Sequence, residues 1–170
     1  MIPVRFHERD YSHGAGWGKR PDGHGLGIAA HRSFVTYVAT VVEVAVDDKG
    51  YYTIPRVDTA IDCGFCVNPE RVHSQVQGAA VMGLALAKYG QITFKNGRVQ
   101  QGNFNDFVIT RIDEAPLQVR THIVEHSLDV HPSGVGEPGM PPFAPALCNA
   151  IFAATGKRIR QLPIGDQLKI

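Results

Sequence analysis

Two runs rich in β-branched and aromatic residues constrain this chain most: SFVTYVATVVEVAVD (33–47) and YYTIPRVDTAID (51–62). Val, Ile, Thr and Tyr fit a pleated, half-buried surface, so both runs predict strands. The polar DDKG between them (47–50) predicts a turn, which makes residues 34–61 an antiparallel hairpin. Pro55 has no N–H to give to a ladder, so the first part of the second strand must lie at an edge or a bulge.

Helical signals follow at once. Asn68 is an N-cap residue and Pro69 sits at the first helical position, where no N–H is needed. Glu70 suits the positive end of the helix dipole. A helix is predicted from Pro69 to about Tyr89, stopped by Gly90, with Val72, Val76, Ala79, Ala80, Gly83 and Leu84 as its buried stripe. Gly78 and Gly83 each cost about 1 kcal/mol relative to Ala, and such small residues imply a close neighbour. QITFKNGRVQQGNF predicts a second hairpin around Asn96-Gly97, and APLQVRTHIVEH (115–126) another strand. The Gly/Pro-rich loop PSGVGEPGMPPFAPAL (132–147) enters a helix of about 143–154, with Leu147, Ile151 and Phe152 on its apolar side and Gly156 at its end. RIRQLPI is expected to close the chain as a short strand. The element order indicates an α+β fold, β-hairpins packed with two principal helices, rather than regular βαβ alternation. Residues 1–33 show no hydrophobic period and are expected to be irregular, with residues 34–170 forming the folded body. An irregular stretch of that length suits a boundary inside a larger domain.

Bulk properties exclude several classes. The 170 residues suffice for one domain with a core. A net charge of +1 gives no electrostatic case for nucleic acid or an anionic membrane. No apolar run approaches the roughly 20 residues of a membrane helix. Met1–Arg9 has no apolar core of the signal-peptide kind, and the compartment, cytoplasmic or periplasmic, is left open. Three cysteines are too few for a disulfide scaffold.

Four stretches could carry chemistry. Cys63 and Cys66 have the C-x-x-C spacing of a dithiol redox site and lie just before a helix N-terminus, which favours a thiolate. No βαβ start precedes them, however, and Cys148 with scattered histidines makes no zinc pattern. Small buried thiols at a tight turn are the preferred reading. In GHGLGIAAHRSF, Gly23, Gly25 and Gly27 lack the context of a phosphate loop, so a turn or close backbone contact is favoured over an anion cradle, and His24 and His31 read as loop histidines. Gln75 and Gln77 lie early in the first helix. Gln77 reads as solvated, whereas Gln75 precedes the small patch Gly78–Ala79–Ala80, and its amide could read a heterocycle edge. The most informative stretch is GVGEPG (134–139). Glu137 stands among glycines and prolines with no local Lys or Arg. Held in an apolar, close-packed loop, it would have a raised pKa and could act as a general base. An exposed loop glutamate is the competing reading.

Taken together, RVDTAIDCGFCVNPERVHSQVQGAAVMGLAL, GVGEPGMPPFAPALCNAIFAATGKRIRQLPI and GLGIAAHRSFVTYVATVVEV resemble the C-terminal part of the molybdenum-binding large subunit of the xanthine dehydrogenase/aldehyde oxidase family. Within it, the chain looks most like the isoquinoline 1-oxidoreductase β-subunit type. The resemblance runs from about Gly23 to the end. It implies a molybdenum hydroxylase that oxidises aldehydes or N-heteroaromatic carbons with water as oxygen source. It also implies a molybdenum–pterin cofactor, in some members extended by cytosine dinucleotide. Glu137 matches the family's catalytic glutamate, the general base, and Gln75 a glutamine that hydrogen-bonds the pterin. The implied partners are the N-terminal portion of the large subunit and a small 2Fe–2S subunit. Cofactor loops and substrate-channel residues of that N-terminal portion have no counterpart in this stretch, so the isolated chain is expected to be inactive. The alternatives are a non-catalytic assembly or binding domain that keeps the fold, and a thiol–disulfide protein using Cys63 and Cys66.

Overall fold

The structure, a computed structural model, describes residues 20–169. Along them run β1 (His24–Ser33), β2 (Thr36–Val46), β3 (Tyr52–Asp62), the helix α1 (Pro69–Lys88), β4 (Phe94–Lys95), β5 (Arg98–Val99), β6 (Val119–Ile123) and the helix α2 (Phe143–Thr155). The main sheet has the order β1-β2-β3-β6. Its first three strands are antiparallel neighbours, while β6 runs parallel to β3 after a crossover that includes α1. One mixed sheet with two helices is the expected α+β architecture.

The β2–β3 hairpin forms as the sequence indicates. Its register slips between Glu43 and Ala45, opposite the stretch that contains Pro55. Pro55 also lies before Val57, where pairing with β6 begins, so no ladder bond is lost to it.

The expectation of irregular structure over residues 1–33 fails from His24 onward, and residues 1–19 lie outside the described residues. Two features hid β1. Its helix-facing positions are small: a Cβ on Gly27 would lie 2.1 Å from the Ala146 carbonyl oxygen and 2.2 Å from the Ala150 nitrogen of α2. A Cβ on Gly25 would lie 2.2 Å from the Ala150 carbonyl oxygen. The residues that weaken strand propensity here let α2 rest directly on the strand backbone. Second, β1 and β2 are joined by Phe34-Val35, at φ 50° and 66°. Two-residue hairpin turns usually fill such left-handed positions with Asn-Gly, and this pair carries no such signal.

Helix α1 has the predicted cap, Asn68 Oδ1 accepting from the Arg71 amide at 3.2 Å, and its buried stripe is the expected one with Ala87 added. Gly83 is a notch for Phe143 at the head of α2, since a Cβ there would come within 2.7 Å of the Phe143 Cβ and 2.9 Å of its ring. The main core joins both helices to the sheet through Val42, Val57, Leu84, Phe143, Leu147 and Ile151. Phe152 departs from the expected apolar side: it is exposed, with the Arg158 guanidinium 3.5 Å above its ring. The segment RIRQLPI is not a strand. Ile159 and Ile164 bury in the core, and the Ile164 and Gly165 amides donate to the Ala87 and Lys88 carbonyls at the end of α1. Those amides satisfy helix-end acceptors rather than a strand partner.

Between α1 and β6 lies an excursion with one short hairpin, β4–β5, turning through Asn96 (φ 52°) and Gly97 (φ 74°) as predicted. The expected strand over 115–126 is confined to 119–123. Glu114 ties the end of the excursion to its start, accepting from Lys88 Nζ at 2.7 Å, from the Tyr89 hydroxyl, and from the Arg111 amide at 3.0 Å. Burial opposes its charge, but the Lys88, Tyr89 and Arg111 donors prevail and hold the carboxyl down at about 2. A group whose folded pKa is depressed adds stability above the ordinary carboxylate range and loses it as pH falls toward the folded value. Glu114→Gln is therefore expected to lower the melting temperature by about 3–6 °C at pH 7. Thermal melts of both proteins across pH should show that gap closing as pH drops from about 5 toward 2.

Candidate functional site

Gln75 and Glu137 line one cavity of about 480 Å³. Three segments build it. From α1, Gln75, Gly78 and Met82 recur at helical spacing and form one wall, on the flank of the buried stripe. A Cβ on Gly78 would meet nothing within 4 Å, so its backbone is an open floor rather than a packing notch. From the end of β1 come His31 and Ser33, with Phe34 beside them. The loop before α2 supplies Gly136, Glu137, Met140 and Pro141. Among the described residues, no hydrogen bond or ion pair engages the side chains of His31, Ser33, Gln75 or Glu137. Four polar side chains thus converge on one space with their hydrogen-bonding capacity unused.

The loop that carries Glu137 is fastened at several points. The buried Thr36 hydroxyl donates to the Gly134 carbonyl at 2.6 Å and stands 2.6 Å from the Ser133 hydroxyl. The Ser133 amide donates to the Cys63 carbonyl at 2.9 Å, and the Gly134 amide to the Phe34 carbonyl at 3.3 Å. After Glu137, the Met140 amide donates back to the Glu137 carbonyl at 3.1 Å. Pro138 and Gly139 are buried, and a Cβ on Gly139 would touch Ala79 of α1 at 3.1 Å. These contacts correct one expectation. Glu137 is exposed, not enclosed by apolar packing. The apolar loop residues bury themselves against α1 and leave the carboxylate on the cavity rim.

The C-x-x-C pair is placed away from this convergence. All three cysteines are free; Cys63 is buried with Val38, Ile61, Val72 and Val76, and Cys66 is half-buried. Burial, then the neighbouring Cys66 and Asp62, push the Cys63 thiol up. A redox dithiol needs the opposite shift. The turn instead acts as a strut. Cys63 holds Ser133, the Phe65 amide donates to the Val130 carbonyl at 3.0 Å, and Gly64, at φ 69°, leaves room for the His131 carbonyl. Among the described residues, no cluster of His, Cys, Asp or Glu could hold a metal ion. The glycines of β1 make the close backbone contact that the sequence favoured over a phosphate cradle. Gln77 is exposed as expected.

Sequence reasoning missed His31, Ser33 and Phe34 as cavity residues. Local composition marks His31 as a loop histidine and Ser33 and Phe34 as the start of a strand. The available signal was alternation: Gly25, Gly27, Ala29, His31 and Ser33 share one face once 24–33 is taken as a strand.

Comparisons with known proteins identify the family and the fold. The family model for the molybdopterin cofactor-binding domain matches residues 8–116. The isoquinoline 1-oxidoreductase subunit beta of Brevundimonas diminuta is 31% identical over 157 residues, which is 89% of this chain and 20% of that protein. The fold matches quinoline 2-oxidoreductase from Pseudomonas putida 86 with a TM-score of 0.69 at 20% identity, over 78% of this chain and 18% of that one. It also matches aldehyde oxidoreductase from Desulfovibrio gigas with a TM-score of 0.64 at 26% identity, over 78% of this chain and 15% of that one. The chain thus spans about a fifth of the length of the first of these relatives. With its match to the cofactor-binding domain over residues 8–116, the chain belongs to the molybdopterin-binding large subunits of the xanthine dehydrogenase family, a family of molybdenum-dependent oxidoreductases.

Proposed function

We propose that this chain forms part of a molybdenum hydroxylase that oxidises N-heteroaromatic or aldehyde substrates with water as the oxygen source. One observation carries the reading: Gln75 on α1 and Glu137 on a distant loop line the same cavity. The relatives named for isoquinoline, quinoline and aldehyde oxidation supply the substrate classes.

A molybdenum–pterin cofactor, extended by cytosine dinucleotide, would when bound supply the two-electron oxidation of the substrate carbon. The chain's own residues bind, orient and move a proton. Gln75 presents an amide that both donates and accepts, suited to the polar edge of a pterin, and Gly78 leaves open space beside it. Glu137 is the general base, accepting at its carboxylate the proton released as the water oxygen joins the substrate carbon. The loop fastenings at Thr36 and Cys63 hold the segment that carries that carboxylate. The N-terminal portion of the large subunit and a small 2Fe–2S subunit complete the enzyme and carry electrons away.

The test is co-expression with those partner polypeptides, followed by metal and pterin analysis and dye-coupled oxidation of isoquinoline and aromatic aldehydes. The complex is expected to hold molybdenum and pterin together and to turn over at least one of these substrates. A folded complex with neither component would select the non-catalytic assembly domain instead.

A further inference from the structure

We propose that His31 and Ser33 are substrate-orienting residues that hold the ring nitrogen of a planar N-heteroaromatic substrate while Glu137 faces the carbon to be hydroxylated. The proposal rests on the function given above and narrows its substrate class.

The pleat of β1 sends successive side chains to opposite faces of the sheet. Every second residue from Gly25 faces the helical layer. Gly25 and Gly27 lie under α2, and Ala29 packs against the main core. Helix α2 runs back along the strand: Gly25 meets Ala150 and Ala154, Gly27 meets Ala146 and Ala150, and the helix begins at Phe143. The next two positions, His31 and Ser33, therefore emerge beyond the helix, where the Glu137 loop crosses, and both line the cavity.

Residue type changes where the covering element changes. The strand carries Gly, Gly and Ala beneath helix backbone, then an imidazole and a hydroxyl where the helix has ended. Partly buried polar groups of this kind normally find hydrogen-bond partners. Among the described residues these two have none, nor does the Glu137 carboxylate.

The remaining surroundings select the shape of the ligand. Phe34, Ala79, Met82, Met140 and Pro141 line the same cavity. Aromatic and thioether groups suit the faces of a flat ring. Such a ring leaves only its in-plane heteroatom to be recognised, and the strand end offers a polar pair for it. A ring nitrogen accepts from the hydroxyl or from the imidazole N–H, whereas a carbocyclic ring gives both residues nothing to bind.

The experiment uses the co-expressed complex. Steady-state kinetics are measured with isoquinoline, alone and with naphthalene as inhibitor, which has the same ring system but no acceptor atom. His31→Ala and Ser33→Ala are each expected to raise KM for isoquinoline by about three- to ten-fold, the size of one neutral hydrogen bond. The kcat for isoquinoline should stay within about two-fold, and the inhibition constant of naphthalene should hardly move. His31→Gln, which keeps a donor, should recover part of the loss. Molybdenum content should match the wild type in every variant. An unchanged KM for isoquinoline overturns the proposal, as does an equal weakening of naphthalene or a wild-type complex that oxidises aldehydes but not isoquinoline. If the complex lacks molybdenum, the proposed function itself fails. Direct calorimetric binding of isoquinoline then decides this inference separately, and absent binding or equal affinity in wild type and His31→Ala overturns it.

Discussion

Glu137→Gln is expected to lower turnover of the assembled enzyme by about 100- to 10,000-fold, the usual contribution of a positioned general base. The change is nearly isosteric and removes only the ability to accept a proton. Nothing in the loop depends on the carboxylate. The fastenings are backbone groups of Ser133, Gly134 and Glu137 with the Thr36 hydroxyl, and the side chain itself makes no hydrogen bond or ion pair with other described residues. Loop geometry, molybdenum content and pterin content should therefore all survive. Single-turnover kinetics with metal analysis separates the possibilities. A variant that retains activity sinks the assignment of Glu137, and one that loses molybdenum shows a role in holding the cofactor instead.

Gly27→Val should have the largest effect on folding. The nearest atoms to an added Cβ are main-chain atoms of α2, at 2.1 and 2.2 Å, so no side-chain rotation can relieve the clash. The helix would have to lift from the sheet, opening the core that Leu147 and Ile151 fill. Overpacking of this kind costs about 3 kcal/mol or more, which corresponds to about 10 °C in melting temperature. Loss of soluble protein is the more extreme form of the same result. Gly78→Ala is the matched control. It too replaces a glycine by a larger residue, but in open space within a helix, and it should leave stability unchanged or raise it by up to about 1 kcal/mol. Equal melting temperatures for wild type and Gly27→Val would refute the packing argument.

The contrast between these two glycines shows what the sequence could and could not reveal. Where local chemistry dictates structure, it was legible. Asn68-Pro69 announced α1, Asn96-Gly97 announced the β4–β5 turn, and the β-branched runs announced β2 and β3. Where structure depends on a distant neighbour, it was not. β1 is a strand through its pairing with β2, with α2 lying on its glycines, and the turn into β2 uses two bulky residues in left-handed conformations held beside Gly134. RIRQLPI is expected to be a strand but is not one, because the amide of its last residue, Ile164, finds its acceptor at the end of α1 rather than on a strand. Gln75 and Glu137 stood out by residue type and loop composition and by family resemblance, and they do line one cavity. The environment of Glu137 was misjudged because proline and glycine imply rigidity but not which side of a loop faces inward. His31 and Ser33 were hidden with the strand that carries them.

The excursion between α1 and β6 leaves and returns at one place, where Lys88 and Tyr89 hold Glu114. Its two ends are thereby clasped independently of what lies between them. Chain added to residues 91–110 would not displace the cavity, and doubling such a loop costs only about 0.6 kcal/mol in closure entropy. The CGFC turn has no such freedom, since one extra residue there would shift α1 against the loop of Glu137. Length variation in this architecture therefore has a natural address, and so does a splice for a reporter or an affinity handle.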